Sequence, residues 1–250
     1  MAHKTLISGT AYDVKGGREL IGGTGYDCKA GKTLIGGTAF TVPFSKGIHL
    51  NTITPGAILY LNESGSPVPF YIAKHDYESG LNGAGRTLVV RRDCYDKRGF
   101  NQSNNTYSGS QMDTWLTGTY LNLLSSDVKK AVSTTKFKIA NGTNASISTL
   151  ERSVFILSCV ELGRRSGFND GEALPIAEKM QIAKINGTAV GQWTRTPGNN
   201  SSVFETYLSA AGFPGAERPF VVDYGSRPAF TLPATTAVTA NTDGTYTIAA

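Results

Sequence analysis

Apolar and polar positions at the start of the chain recur at a fixed spacing. Lys4-Thr5-Leu6-Ile7-Ser8-Gly9-Thr10-Ala11-Tyr12-Asp13-Val14 is followed by Arg18-Glu19-Leu20-Ile21-Gly22-Gly23-Thr24-Gly25-Tyr26-Asp27-Cys28. A third copy, Lys32-Thr33-Leu34-Ile35-Gly36-Gly37-Thr38-Ala39-Phe40-Thr41-Val42, again begins 14 residues after the one before it. Each unit reads as a Leu-Ile strand, a Ser-Gly or Gly-Gly turn, and a second strand carrying an aromatic residue. Glycine at the turn allows the positive φ that two-residue hairpin loops require. A flexible linker has no use for Leu-Ile and an aromatic ring at constant positions. A unit this small cannot bury its apolar face alone and has open edges, so residues 1–44 are expected to stack on neighbours, on the rest of the chain or on identical segments of other copies.

Beyond Val42-Pro43-Phe44 the pattern changes to short β-branched or aromatic runs between turn clusters. Strands are expected at Ala57–Leu61, Phe70–Ala73, Thr87–Arg91, Lys136–Ile139, Val154–Ser158, Gln192–Arg195, Phe220–Val222 and Ala229–Leu232. Ser110-Gln111-Met112-Asp113 has the form of a capping box, and Met112, Trp115, Leu116, Tyr120 and Leu124 follow at helical spacing, with Gly118 as a break. A second short helix can start at Ser126-Asp127 and a third around Ile176–Ile182. Asn241-Thr242-Asp243-Gly244 predicts a hairpin in the tail. The expected fold is α+β and predominantly β: a short-stranded β-repeat segment (1–44), one globular domain of short antiparallel strands with a helical insert (45–233), and a C-terminal hairpin tail (234–250).

Composition narrows the partners. The net charge is +5, and only two of those charges come from residues 1–42, which hold five Lys/Arg against three Asp/Glu. So thin a spread fits solubility better than polyanion binding, and Arg86, Arg91, Arg92, Lys97 and Arg98 are interleaved with Asp93 and Asp96. No nucleic-acid partner is expected. The opening residues carry no signal-peptide run, and no stretch is long enough for a membrane span. Cys28, Cys94 and Cys159 are odd in number and scattered, which reads as free thiols.

Catalytic signatures are sparse. There is no nucleophile elbow, zinc-binding helix or phosphate loop. His75 beside Asp76 could serve as an acid–base pair, but a lone His next to Asp is far more often a surface pair. Asn169-Asp170-Gly171-Glu172 could offer calcium ligands and is as good a turn. The chain is therefore expected to be no enzyme and to need no metal or cofactor, with a glycan hydrolase as a residual alternative. Trp193, Arg195, Tyr224 and Arg227 could form an aromatic–guanidinium cluster for sugars or carboxylates. Their alternative is structural, with each arginine tying loop carbonyls or an acid to the fold. Polar loops at 99–107, with Asn101, Asn104 and Tyr107, and at 197–202, with Asn199 and Asn200, have the chemistry of binding loops, or are solvated turns.

Four segments in order carry a resemblance: Trp115-Leu116 through Leu121-Asn122, Val154-Phe155-Ile156-Leu157-Ser158, Gln192-Trp193-Thr194-Arg195-Thr196-Pro197-Gly198, and Gly225-Ser226-Arg227-Pro228-Ala229-Phe230. They resemble an uncharacterised domain family of tailed-phage proteins and Gram-positive surface proteins, with its WLN helix, FLLS strand, WWLRSPG segment and GVRPAL strand. The likeness spans roughly residues 55–233; Gln192, Thr196 and Ser226 depart from it. The repeats are similar to amino-terminal segments of prophage structural proteins, and the closing strand is loosely similar to that of C-type-lectin-like domains. The resemblance implies a tail, baseplate or fibre protein of a phage virion that binds other virion proteins and itself and meets a host-surface glycan or protein. The alternative is a purely structural virion part.

Overall fold

The computed structural model describes residues 48–142, 146–198 and 203–249 in full and, within 1–47, the backbone of six short strands. Two units result, Met1–Gly47 and Ile48–Ala250. In the first, β1 (Lys4–Ile7) pairs antiparallel with β2 (Thr10–Asp13), β3 (Arg18–Ile21) with β4 (Thr24–Asp27), and β5 (Gly31–Ile35) with β6 (Thr38–Val42). The innermost pairs Ile7↔Thr10, Ile21↔Thr24 and Ile35↔Thr38 hold the same place in every repeat. Each hairpin is a separate two-stranded sheet, and no ladder joins one to another among the described residues. A lone two-stranded ribbon is at best marginal in water.

The second unit is built on a curled seven-stranded half-barrel. Its strands are β7 (Ile48–His49), β8 (Ile58–Glu63), β9 (Ser66–Lys74), β10 (Arg86–Arg91) and three segments from near the end of the chain. Between these, β11 (Thr135–Ala140) and β12 (Ile147–Arg152) form a separate ribbon, as do β13 (Ala183–Ile185) and β14 (Thr188–Val190). A three-stranded sheet follows, of β15 (Gln192–Pro197), β16 (Glu205–Leu208) and β17 (Pro214–Glu217). The chain then returns to the half-barrel with β18 (Ala229–Pro233), β19 (Ala237–Ala240) and β20 (Tyr246–Ile248), so the large sheet contains β7 to β10 and these last three, in the order β18-β10-β9-β8-β20-β19-β7.

Local chemistry accounts for these elements. Strand β10 lies between β9 and β18 and buries Thr87, Leu88, Val89 and Val90, as a continuous apolar run in mid-sheet should. Strands β8 and β9 are joined by Ser64-Gly65, both at positive φ (51° and 80°), the conformation that suits the twist of a two-residue hairpin. Helix α1 (Ser79–Asn82) is one turn. Helix α2 (Gln111–Thr117) begins where Ser110 Oγ accepts from the Asp113 N–H at 3.0 Å, and it ends at Gly118. Helix α3 (Ser126–Ala131) is capped by Ser125, and α4 (Ala177–Met180) is another single turn. Leu59, Phe70, Ile72, Leu116, Phe155 and Phe230 are all fully buried in one core. Among the described residues no helix is long and apolar enough to cross a membrane.

Three expectations change. The tail hairpin forms, but it is not a separate 234–250 element: β20 runs parallel to β8 inside the main sheet, with β19 between β20 and β7. Residues 154–158 are buried yet form no strand, only the bridge Phe155↔Ala229. Side chains serve their backbone instead: Tyr107 Oη accepts from the Ile156 N–H, and Glu161 Oε2 from the Ser158 N–H at 2.9 Å. Residues 220–222 are irregular, and Phe220 and Val222 point to solvent.

Candidate functional site: a loop face and a buried charge centre

Strand β15 carries Trp193 and Arg195 inward. The Arg195 side chain is completely buried, and all five of its N–H donors are used. Nη1 and Nη2 grip Glu161 at 2.6 and 2.9 Å, and the remaining bonds go to the carbonyls of Ile156 (3.0 Å), Asp170 (2.9 Å) and Lys138 (3.1 Å). Burial works against the guanidinium charge, but Glu161 and then Tyr77 favour it, and its pKa is raised. Arg227 is also buried and bonds the carbonyls of Arg91, Met180 and Arg92 at 2.8, 2.5 and 2.5 Å. Trp193 donates to the Arg98 carbonyl at 2.8 Å. The expected ligand cluster is therefore corrected: Trp193, Arg195 and Arg227 tie the domain together from within, and Tyr224, packed 4.0 Å from the Tyr207 ring centroid, is the member that reaches the surface.

The polar loops fare differently. Tyr107 is buried among Phe100 and Phe137 and is not a surface group. Asn101 donates to Asn104 Oδ1 at 2.9 Å, which also accepts the Thr106 N–H, so these two amides shape the loop. Asn199 and Asn200 lie outside the described residues. The loop at 99–107 is held against two others. The Pro219 carbonyl accepts the N–H groups of Phe100 (2.7 Å) and Asn101 (3.0 Å), and Asn105 donates to the Phe204 carbonyl at 2.9 Å. Gly99 lets the loops approach closely, since a Cβ there would stand 3.3 Å from the Phe220 carbonyl oxygen. Between the loops opens a cleft of about 280 Å³, lined by Gln102 and Ser103, Val203 and Phe204, and Arg218, Pro219 and Phe220. Phe220 is 52% exposed, and Val203, Phe213 and Val222 nearby in sequence are also exposed.

Next to this face lies a centre of buried charge. Tyr77 donates to Glu161 Oε1 at 2.5 Å, and Thr196 donates to Asp170 Oδ2 at 2.7 Å. Asp170 Oδ1 and both carboxylate oxygens of Glu205 are buried without a hydrogen-bond partner. Burial, and then the charge of Asp170, push the Glu205 carboxyl well above the usual range. Burial also raises the Asp170 carboxyl against the pull of Arg195. Sequence reasoning singles out Asp170 only as part of the turn Asn169-Asp170-Gly171-Glu172, and it misses Glu161 and Glu205. Glu161 did leave a trace, as a lone acid in the apolar run Val154 to Leu162.

Other candidates resolve simply. His75 uses both ring nitrogens, on Thr87 Oγ1 (2.9 Å) and the Ile53 carbonyl (2.7 Å), while Asp76 accepts the Gly85 N–H. The basic stretch is largely paired, Arg91 with Glu63, Arg92 with Asp93 and Arg98 with Asp96. Cys94 and Cys159 are free and buried, and burial pushes both thiols up to about 12; Cys28 lies outside the described residues. No group of three or more His, Cys, Asp or Glu side chains fit to hold a metal occurs among the described residues.

Compared with known proteins, residues 84–234 match the family described as a domain of unknown function (DUF6273). No curated protein and no solved structure matches the chain.

Proposed function

We propose that this chain, which belongs to the domain-of-unknown-function family DUF6273, is a non-enzymatic subunit of a phage virion, of tail, baseplate or fibre type. Its hairpin repeats join it to the assembly and to other copies of itself. Its domain offers the 99–107, 203–204 and 218–222 loops to a glycan or protein of the host surface.

The observation that carries the reading is the meeting of three loops around an exposed aromatic ring. Phe220 supplies an apolar face at the edge of a cleft that also contains the amide of Gln102, the hydroxyl of Ser103 and the guanidinium of Arg218. Aromatic rings stack on sugar rings or apolar side chains, and a fork of N–H donors beside them engages hydroxyl or carboxylate oxygens. A rigid ring flanked by adaptable polar groups is the usual composition of a binding loop. The repeats add support from the other end, as marginal two-stranded ribbons that gain stability by packing on more of their own kind.

The test is binding of the purified full chain to intact host cells and to isolated envelope, beside Phe220→Ala and Arg218→Ala. Phe220→Ala should weaken binding roughly tenfold or more, as truncating an aromatic anchor does, with the melting temperature unchanged. A wild-type chain that assembles into particles yet binds no envelope would replace this reading with a purely structural virion part.

A further inference from the structure

A cavity of about 670 Å³ opens beside helix α4, lined by Arg164 and Lys179 among others. It lies within the ~300–1,000 Å³ span of ordinary small-ligand sites, and it shares no lining residue with the cleft beside Phe220. Leu174 and Ile176, both buried, give it an apolar surface. Its two cations are under-used. Arg164 Nη2 donates to Gln181 Oε1 at 2.7 Å, but Nε is buried with no acceptor, and Nη1 bonds nothing among the described residues. The guanidinium is nevertheless fixed. The other end of the Gln181 amide donates to the Leu162 carbonyl at 3.0 Å, and the guanidinium carbon lies 5.5 Å from the centroid of the Phe213 ring, which is 62% exposed. Lys179 makes no ion pair or side-chain hydrogen bond among the described residues. Its ammonium rests against Gly56, where a Cβ would stand 3.1 Å from Nζ. One acid, Glu178, also lines the cavity, and its carboxylate is likewise without a partner among the described residues.

Two cations against one carboxylate leave this lining with a single net positive charge. A guanidinium with open N–H donors and an ammonium attract carboxylate or phosphate oxygens. Glu178 limits the ligand to one such group, because its oxygens repel a second anion but accept hydrogen bonds from hydroxyls. The apolar surface and the exposed Phe213 ring suit the C–H face of a sugar. We propose that this cavity binds an acidic sugar, a ring that carries one carboxylate or one phosphate among free hydroxyls. Arg164 and Lys179 hold the charged substituent, and Glu178 accepts from a hydroxyl. A fatty acid leaves Glu178 with nothing to accept from, and a neutral sugar leaves the arginine without its anion. The site stands apart from the host-recognition reading and does not depend on it.

The experiment titrates the full chain at low salt, by ligand-observed NMR, with glucuronate, glucose 6-phosphate, glucose and inorganic phosphate. Saturable binding of at least one acidic sugar is expected, and the tighter of the two identifies the substituent as carboxylate or phosphate. Glucose should bind roughly tenfold more weakly, as the loss of a charged hydrogen bond implies. Inorganic phosphate, which has no ring to pack on the apolar surface, should also bind more weakly. Arg164→Met should cost roughly tenfold in affinity for the acid. Lys179→Met, at an exposed position that folding does not depend on, should cost roughly threefold, the scale of an exposed charge pair. Phe220→Ala should change nothing. The proposal is overturned if neither acid binds at millimolar concentration, or if glucose or inorganic phosphate binds as tightly as the acids. It is equally overturned if Arg164→Met and Lys179→Met both keep full affinity, or if Phe220→Ala removes binding, which places the sugar in the other cleft. These titrations involve neither host cells nor particles, so a failure here leaves the recognition reading standing.

Discussion

Replacing Arg195 with methionine separates a scaffold role from a ligand-binding one. The substitution keeps an unbranched chain of similar reach but strands Glu161, which has no exposed surface, without its cation. Removing one partner of a buried ion pair costs about 3–5 kcal/mol. The carbonyls of Ile156, Asp170 and Lys138 lose a donor as well, at roughly 1 kcal/mol each where no water replaces it. The loss should therefore be about 4 kcal/mol or more, a large share of the ~5–15 kcal/mol that holds an ordinary domain together. Urea unfolding, read by tryptophan fluorescence and compared at constant m-value, gives the number directly. Arg195→Lys should fall between, because an ammonium has three donors where five acceptors wait. Adding Glu161→Gln to Arg195→Met should recover part of the loss, since the two sites share one interaction. A cost below about 1 kcal/mol for Arg195→Met, together with lost host binding, would refute the reasoning and return Arg195 to the ligand site.

Three further outcomes are expected. Glu205, Asp170 and Glu78 all have folded carboxyl pKa values above their ordinary ones, chiefly through burial. Their stabilising contribution is complete below the unfolded value near ~4 and is lost as pH rises through the folded values. The melting temperature should thus be higher near about pH 5 than about pH 8, and Glu205→Gln should flatten that slope; a maximum at neutral pH in both would contradict it. The family match ends at residue 234 and begins at 84, so it supplies only β10 and β18 of the seven-stranded sheet. A fragment of residues 84–234 should lack a cooperative unfolding transition while 48–250 retains one, as calorimetry would show. Finally, a Cβ on Gly225 would lie 2.4 Å from Cys94 Sγ. Gly225→Ala should lower stability by about 1–3 kcal/mol as overpacking does, with partial recovery on adding Cys94→Ala, measured by the same urea series.

What could be read in the sequence was local. The capping box at Ser110 and Asp113 works within one helical turn, and the apolar run of β10 states its own burial. The strand at 154–158 was misread for an instructive reason: its side chains are as buried as a strand's, but Tyr107, Glu161, Thr196 and Arg195 take the place of a neighbouring ladder. Ribbon β13–β14 was missed although Asn186-Gly187 marks its turn, because three residues on each side give no period to detect. Strand β12 alternates exposed and half-buried positions and buries none fully, so it carries little hydrophobic signal. The charge centre was invisible for a different reason. Tyr77, Glu161 and Arg195 meet across separations of 84 and 34 residues, which no spacing rule reports. Phe220 reads as a strand residue because an aromatic left in water looks the same in sequence as one that is covered.

Ile48 and Ile248 both stand opposite Val238, one on either side of strand β19. Two inter-strand spacings of ~4.8 Å put them about 10 Å apart. The two ends of this domain therefore sit side by side at one narrow neck, with some two hundred residues suspended between. A body tethered in that way can be spliced into a surface loop of an unrelated protein, or hung from a stalk, without forcing either to deform. It is a geometry suited to changing the carrier while keeping the cargo.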